Sequence, residues 1–199
     1  MTQRVPRLPR RVSKSDVGIA TPIVGIDVET ACPTRGAVCS IGVSVVQRGA
    51  VVRERHWYID PGTRFDPRFI GIHGITPAQV AGAPRLSAAW SDIDSFLSAA
   101  IASLAEPTLF AALEGAPAPL FVAHNAQFDR TQIESALGRA LPFPIACTVA
   151  MSRRAFPKLE RHNLAAVSAH LEIALRHHDA LSDARACALI AHRCIAQAS

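Results

Sequence analysis

Runs of β-branched and apolar residues predict a sheet near the start of the chain. Residues 22–29, PIVGIDVE, form an apolar run that ends on acids, and residues 37–60 read as two strands joined around Arg48 and Gly49. These three strands are predicted to pair antiparallel. The Gly- and Pro-rich residues 60–86 are expected to form a long loop with one short helical turn after Thr76 and Pro77.

Apolar residues then recur at helical spacing. Ser87, a candidate N-cap, precedes such a run over residues 87–104, which predicts a helix. The members of this apolar face are Trp90, Ile93, Phe96, Leu97 and Ile101.

A short strand, LFVAH at 120–124, leads to a helix that Asn125 can cap. The rest of the chain predicts a short strand, PIACT, followed by helices near 148–156, 162–171 and 179–197. Three strands followed by alternating strands and helices predict a mixed α/β sheet covered by helices.

Composition indicates one domain. The chain has 199 residues, 49% of them hydrophobic and 19% charged, and no apolar run approaches the roughly 20 residues of a membrane span. Its five cysteines, an odd number without a preceding signal segment, favour a reducing, cytoplasmic location. Cys187 and Cys194 share one helical face near His192, where core packing is favoured over zinc binding.

The net charge of +5 suits a phosphate-rich partner. Much of the excess lies in MTQRVPRLPRRVSKS, so residues 1–20 are interpreted as a basic, flexible N-terminal arm and residues 21–199 as the folded domain. A disordered start, a nucleic-acid-binding arm and a transit peptide all stay open for this segment.

Two acids close the first strand. Asp27 and Glu29 are two residues apart, so both carboxylates project from the same face of the strand. Two anions this close repel each other, and a cation would relieve that repulsion. A solvated strand end is the structural alternative.

Further polar residues occur at two predicted helix starts. Asp129 in HNAQFD lies in the first turn of a helix, where an acid also suits the helix dipole. In HHDALSDA, Asp179 is a candidate N-cap, Asp183 lies one turn inside the helix, and His178 lies on the preceding loop. His177 is interpreted as a solvated neighbour or one that contacts site residues.

The motifs DVETA, HNAQFD and HHDALSDA, in this order, resemble the three motifs of the DEDDh 3′–5′ exonucleases, a family similar to the proofreading epsilon subunit of bacterial DNA polymerase III. AVCSIG, GIHGIT and ERHNLAAV also resemble that family. The likeness covers roughly residues 22–195. It implies a ribonuclease H-like fold and two Mg²⁺ ions, for which Mn²⁺ can substitute.

The resemblance also implies roles. Asp27, Glu29, Asp129 and Asp183 match the metal-binding carboxylates, and His178 matches the general base. Hard divalent ions prefer such oxygen ligands, and a histidine with a pKa near 6.5 can accept a proton from water near neutrality. The implied reaction hydrolyses the terminal phosphodiester at a free 3′ end of nucleic acid, releasing nucleoside 5′-monophosphates.

Five positions match substrate contacts of the family. The resemblance implies that the backbone at Thr30 and Ala31 holds the terminal nucleotide, that Asn125 and Phe128 supply a polar contact and an aromatic platform, and that His73 borders the terminal base. Capping, core packing and loop ordering are the structural alternatives for these residues.

Two departures from the family pattern matter. ETACPTRG replaces the Thr-Gly that often follows the first motif, which puts terminal-base selectivity in question. Only AQAS follows the last helix, without a polymerase-docking tail, so a stand-alone nuclease is expected while polymerase association stays open.

The favoured substrate is single-stranded DNA or a frayed 3′ end, with an exoribonuclease as the alternative because none of the motif residues senses the 2′-hydroxyl. Two other classes of function are considered: a non-catalytic module that binds nucleic acid, and a scaffold that recruits a polymerase. The stretch 103–119 is interpreted as an insertion that either covers the cleft or lengthens a helix.

Overall fold

The computed structural model describes residues 18–104 and 118–198. Most of the predicted arm and most of the stretch 103–119 lie outside these described residues. The elements follow in chain order: β1 Ile23–Thr30, β2 Val38–Gln47, β3 Ala50–Tyr58, α1 Pro67–His73, α2 Pro77–Val80, α3 Leu86–Ala102, β4 Leu120–Ala123, α4 Gln127–Leu137, β5 Ala146–Cys147, α5 Thr148–Ala155, α6 Leu164–His170 and α7 Ala180–Ala198.

The strands form one mixed sheet in the order β3-β2-β1-β4-β5. β1, β2 and β3 pair antiparallel, whereas β4 runs parallel to β1 and β5 runs parallel to β4. Arg48 and Gly49 join β2 to β3 with φ angles of 50° and 79°, the left-handed pair that a tight hairpin requires. The predicted antiparallel opening and mixed α/β sheet are therefore confirmed.

α7 lies directly on the central strands because two glycines make room for its backbone. A Cβ at Gly25 of β1 would collide with the carbonyl oxygen of Ala184, and one at Gly42 of β2 would collide with that of Ala180. The first turns of α7 are consequently held against β1, the strand that carries Asp27 and Glu29.

Helices cover both faces of the sheet. On one face, α3 contributes Trp90, Ile93 and Leu97 to a core that includes Val24 and Ile26 of β1. On the other, α7 buries Cys187 and Cys194 in a second cluster, which confirms their predicted packing role. Within the described residues, no helix combines the length and apolarity needed to cross a membrane.

Three local predictions need correction. The expected loop 60–86 contains a further helix, α1, which begins where Asp66 Oδ1 accepts a hydrogen bond from Arg68 N at 2.9 Å. Ser87 lies inside α3, because that helix begins one residue earlier with Arg85 at its N-cap. Asn125 does not cap α4; it adopts a left-handed conformation, φ 66°, and Ala126 occupies the N-cap.

Candidate active site

The carboxyl end of β1 carries the first two acids. Asp27 and Glu29 project from one face of the strand, as their spacing predicts, and lie beside the start of α7. One oxygen of each, together with one oxygen of Asp183, lies within 4.8 Å of the other two. Three carboxylates from two elements thus converge at one end of the sheet.

Asp129 joins this group from the first turn of α4. That helix follows β4, which runs parallel to β1, so both strands deliver their following residues to the same edge of the sheet. Asp129 is only 2% exposed, and its Oδ1 accepts a hydrogen bond from the backbone N–H of Val28 at 3.2 Å. This contact ties α4 to the strand segment between Asp27 and Glu29.

The loop before α7 brings the histidines. Asp179 caps the helix by accepting a hydrogen bond from Ser182 N at 3.0 Å, which confirms the predicted cap. Asp183 Oδ2 accepts from the backbone N–H of His178 at 3.1 Å and lies 2.9 Å from His177 Nδ1. Both histidines therefore lie against the carboxylate group.

His178 is exposed and has a left-handed backbone, φ 65°, which is uncommon for a residue with a side chain. Its ring stacks on that of His177 with centroids 3.9 Å apart and planes 16° apart. Partial burial and the neighbouring His177 lower the pKa of His178. The imidazole is therefore neutral near pH 7 and able to accept a proton.

The four carboxylates lie close together in surroundings that exclude most water, and this raises the pKa of each. For Glu29 the pKa rises to about 8 and for Asp129 to about 7, in both through burial first and then through nearby anions. The pKa of Asp27 rises well above its usual value for the same reasons, and burial raises that of Asp183. A cation among them would offset this cost.

The donor set suits a hard divalent ion. All four groups offer carboxylate oxygens, which Mg²⁺ and Mn²⁺ prefer. Asp183 Oδ1 is buried and has no hydrogen-bond partner within 18–104 and 118–198, a costly state that a cation would relieve. The residues present therefore fit a metal-binding role.

The four carboxylates line a cavity of about 350 Å³. Eight of the ten residues predicted for the site line it: Asp27, Glu29, Thr30, His73, Phe128, Asp129, His178 and Asp183. Phe128 presents a ring that is 43% exposed, as an aromatic platform would need.

Ala31 and Asn125 are not among the lining residues. Ala31 is fully buried, and its backbone is already engaged: its N–H donates to Ala37 O and its carbonyl accepts from Asp66 N, each at 2.8 Å. His73 lines the cavity but also has a structural role, because Nδ1 accepts from Ile75 N at 2.9 Å and Nε2 donates to Thr30 O at 3.1 Å.

Sequence reasoning missed two apolar members of the cavity, Phe69 and Ile72 of α1. Their helical spacing in PRFIGIH was the available signal. His124 also lines the cavity, but both ring nitrogens are engaged: Nε2 donates to His162 O at 3.0 Å, and Nδ1 lies 2.9 Å from Thr148 Oγ1. Burial lowers the pKa of His124 to about 4, so this ring is neutral and structural.

A mixed sheet in the order β3-β2-β1-β4-β5, with carboxylates gathered at the carboxyl end of its central strand, defines a ribonuclease H-like fold. The model of the RNase_T exonuclease family matches residues 24–107 and 116–191, which is most of the chain. The chain belongs to this family, within the DEDDh group of 3′–5′ exonucleases. Members of the family normally use divalent metal ions.

Two curated relatives and one solved structure illustrate the likeness. The chain is 26% identical to the PolC-type DNA polymerase III of Streptococcus mutans over 181 residues, 88% of this chain and 11% of the polymerase. It is 28% identical to exodeoxyribonuclease 10 of Escherichia coli over 163 residues, 79% of this chain and 61% of that enzyme. The chain therefore spans about a tenth of the first relative and less than two thirds of the second.

The solved structure is exonuclease X in complex with 5′ overhanging duplex DNA. It superposes with a TM-score of 0.59 at 23% identity and covers 88% of this chain and 90% of that one. The two chains share a fold.

Proposed function

We propose that the protein is a 3′–5′ exonuclease that uses two divalent ions, Mg²⁺ or Mn²⁺, to hydrolyse terminal phosphodiesters of single-stranded DNA or frayed 3′ ends. The observation that carries this proposal is the convergence of four carboxylates, three of them buried, and an exposed histidine in one cavity of a family known for 3′-end hydrolysis. The products are nucleoside 5′-monophosphates.

Asp27, Glu29, Asp129 and Asp183 are the residues that would hold the ions. When bound, divalent ions supply positive charge that polarises the phosphodiester and lowers the pKa of the attacking water. The carboxylates fix where that charge lies, because each is held by its strand or helix rather than by a loop, and Glu29, Asp129 and Asp183 are also buried.

His178 is the general base in this proposal. Its neutral ring lines the cavity from the loop before α7 and accepts a proton from the attacking water. The hydrogen bond from its backbone N–H to Asp183 keeps the loop beside the carboxylates.

Phe128 is proposed as a stacking platform for a base near the 3′ end, and Phe69 and Ile72 supply apolar surface in the same cavity. Stacking tolerates every base, which suits a nuclease without sequence preference. DNA is preferred over RNA in this proposal because both curated relatives above are named for DNA.

The test is a time course on matched 5′-labelled DNA and RNA oligonucleotides with Mg²⁺, run on the wild type and Asp27→Asn. Asp94→Asn on α3, outside the cavity, is the matched control. The proposal expects a DNA ladder that shortens from the 3′ end and vanishes only in Asp27→Asn. If RNA were trimmed faster than DNA, RNA would be assigned as the substrate instead. Intact substrates with both Mg²⁺ and Mn²⁺ would refute the catalytic assignment.

A further inference from the structure

His177 lies beside the proposed base, yet none of the roles assigned above uses it. Its Nδ1 lies 2.9 Å from Asp183 Oδ2, while its ring stacks on that of His178 at 3.9 Å. Either contact could give this side chain a purpose, and the two contacts require different chemistry from it. The first needs a hydrogen-bond donor, whereas the second needs only a flat ring.

The two oxygens of Asp183 are in unlike surroundings. Oδ2 receives two donors, the His177 side chain and the backbone N–H of His178. Oδ1 is buried and has no hydrogen-bond partner in the described part of the chain. An ionised carboxylate can only accept hydrogen bonds, so His177 Nδ1 must carry the hydrogen in this pair.

The hydrogen bonds to Oδ2 fix the orientation of the Asp183 carboxylate. With Oδ2 engaged by two donors, rotation of the carboxylate about its Cβ–Cγ bond would break both hydrogen bonds and exchange the two oxygens. Oδ1 then remains as the oxygen available to a cation shared with Asp27 and Glu29, one oxygen of each lying within 4.8 Å of Asp183. Mutation of a residue that hydrogen-bonds a metal ligand typically lowers metal affinity or activity by about 10- to 100-fold.

We infer that His177 is a positioning residue, which donates from Nδ1 to Asp183 Oδ2 and thereby keeps Oδ1 directed at the cation. This inference rests on the proposed function, because it takes Asp183 as a metal ligand. The backbone donor at His178 is available from almost any residue at that position, whereas the side-chain donor depends on residue 177 itself. Ring stacking on His178 is secondary.

Two substitutions separate the donor from the ring. In His177→Asn, the side-chain amide nitrogen occupies nearly the place of Nδ1, so the donor is kept and the ring is lost. In His177→Phe, the ring is kept and the donor is lost. His170→Phe, at an exposed histidine on α6, is the matched control for a histidine-to-phenylalanine change.

The measurement is the dissociation constant of Mn²⁺ for each metal-free protein without nucleic acid, obtained by calorimetric titration and electron paramagnetic resonance. His177→Phe is expected to raise that constant about 10-fold or more, and His177→Asn to restore it to within about threefold of the wild type. His170→Phe is expected to match the wild type. Thermal unfolding of each metal-free variant accompanies the titration.

Three results would overturn the inference. Wild-type affinity in His177→Phe with weakened binding in His177→Asn would make the stacked ring the important feature. Equal weakening in both variants, together with a lowered melting temperature, would reduce His177 to a structural residue. A wild type that binds no Mn²⁺ would refute both the inference and the proposed function, whereas the expected pattern in a protein that leaves oligonucleotides intact would refute the function alone.

Discussion

Replacing Glu29 with Gln should stabilise the metal-free protein at alkaline pH. Glu29 is 9% exposed, and burial together with nearby anions raises its pKa from 4.5 to about 8. Between those two values the folded state binds the proton more tightly than the unfolded chain does. Stability therefore falls as pH rises through this range, and a neutral glutamine of the same shape avoids that loss.

The size of the effect follows from the pKa shift. One pKa unit corresponds to about 1.4 kcal/mol, so the ionisation of Glu29 costs on the order of 1 kcal/mol at pH 5 and about 4 kcal/mol at pH 8. For a domain of this length, about 4 kcal/mol corresponds to a rise in melting temperature of roughly 8 to 16 °C. The gain from Glu29→Gln should thus be small at pH 5 and large at pH 8.

The assay is thermal unfolding in a chelator at both pH values, followed by the fluorescence of the buried Trp57 and Trp90. Glu160→Gln, at an exposed position, is the matched control and should change neither melting temperature by more than about 1 °C. Mn²⁺ should raise the melting temperature of the wild type at pH 8 more than that of Glu29→Gln. A gain of equal size at both pH values, or a loss at pH 8, would refute this electrostatic account.

Three further substitutions test separate parts of the structure. His178→Ala should lower kcat by about 10²- to 10⁴-fold but leave Mn²⁺ affinity within about threefold, since its contact with Asp183 is a backbone N–H; undiminished turnover would exclude the base role. Phe128→Ala should raise KM for oligonucleotides by about 5- to 100-fold at unchanged melting temperature, and an unchanged KM would exclude stacking. Gly25→Ala should lower the melting temperature by more than about 5 °C, because its Cβ would push α7 away from β1. Gly71→Ala is the control, because a Cβ at that position has no neighbouring atom within 4 Å. Equal melting temperatures in the two variants would contradict the packing argument.

The parts of the site that follow from local periodicity could be predicted from sequence. Asp27 and Glu29 share a face because strand side chains alternate, and Asp179 caps α7 because a short acid before an apolar helical run usually does. The mixed sheet followed from three strands and then alternating strands and helices. Each of these predictions was drawn from patterns of residues close together in the chain.

The parts of the site that depend on distant contacts or on an unusual backbone conformation could not be predicted from sequence. Ala31 looked available to a nucleotide, but its backbone pairs with Ala37 and Asp66, a partnership that no local pattern reveals. Asn125 and His178 take left-handed conformations, which favour glycine in sequence-based reasoning. The short helix α1 was concealed because only seven residues, flanked by glycines and prolines, carry its pattern.

Hydrolysis from the 3′ end is tested by the identity of the first product released in ¹⁸O-labelled water. The substrate is an oligothymidylate that carries a single deoxyadenosine at its 3′ end, incubated with Mg²⁺ and analysed by mass spectrometry. We expect the first mononucleotide to be deoxyadenosine 5′-monophosphate with one ¹⁸O in its phosphate, and we expect Asp27→Asn to release none. A thymidine nucleotide as the first product, a 3′-phosphate or an internal fragment would contradict this expectation.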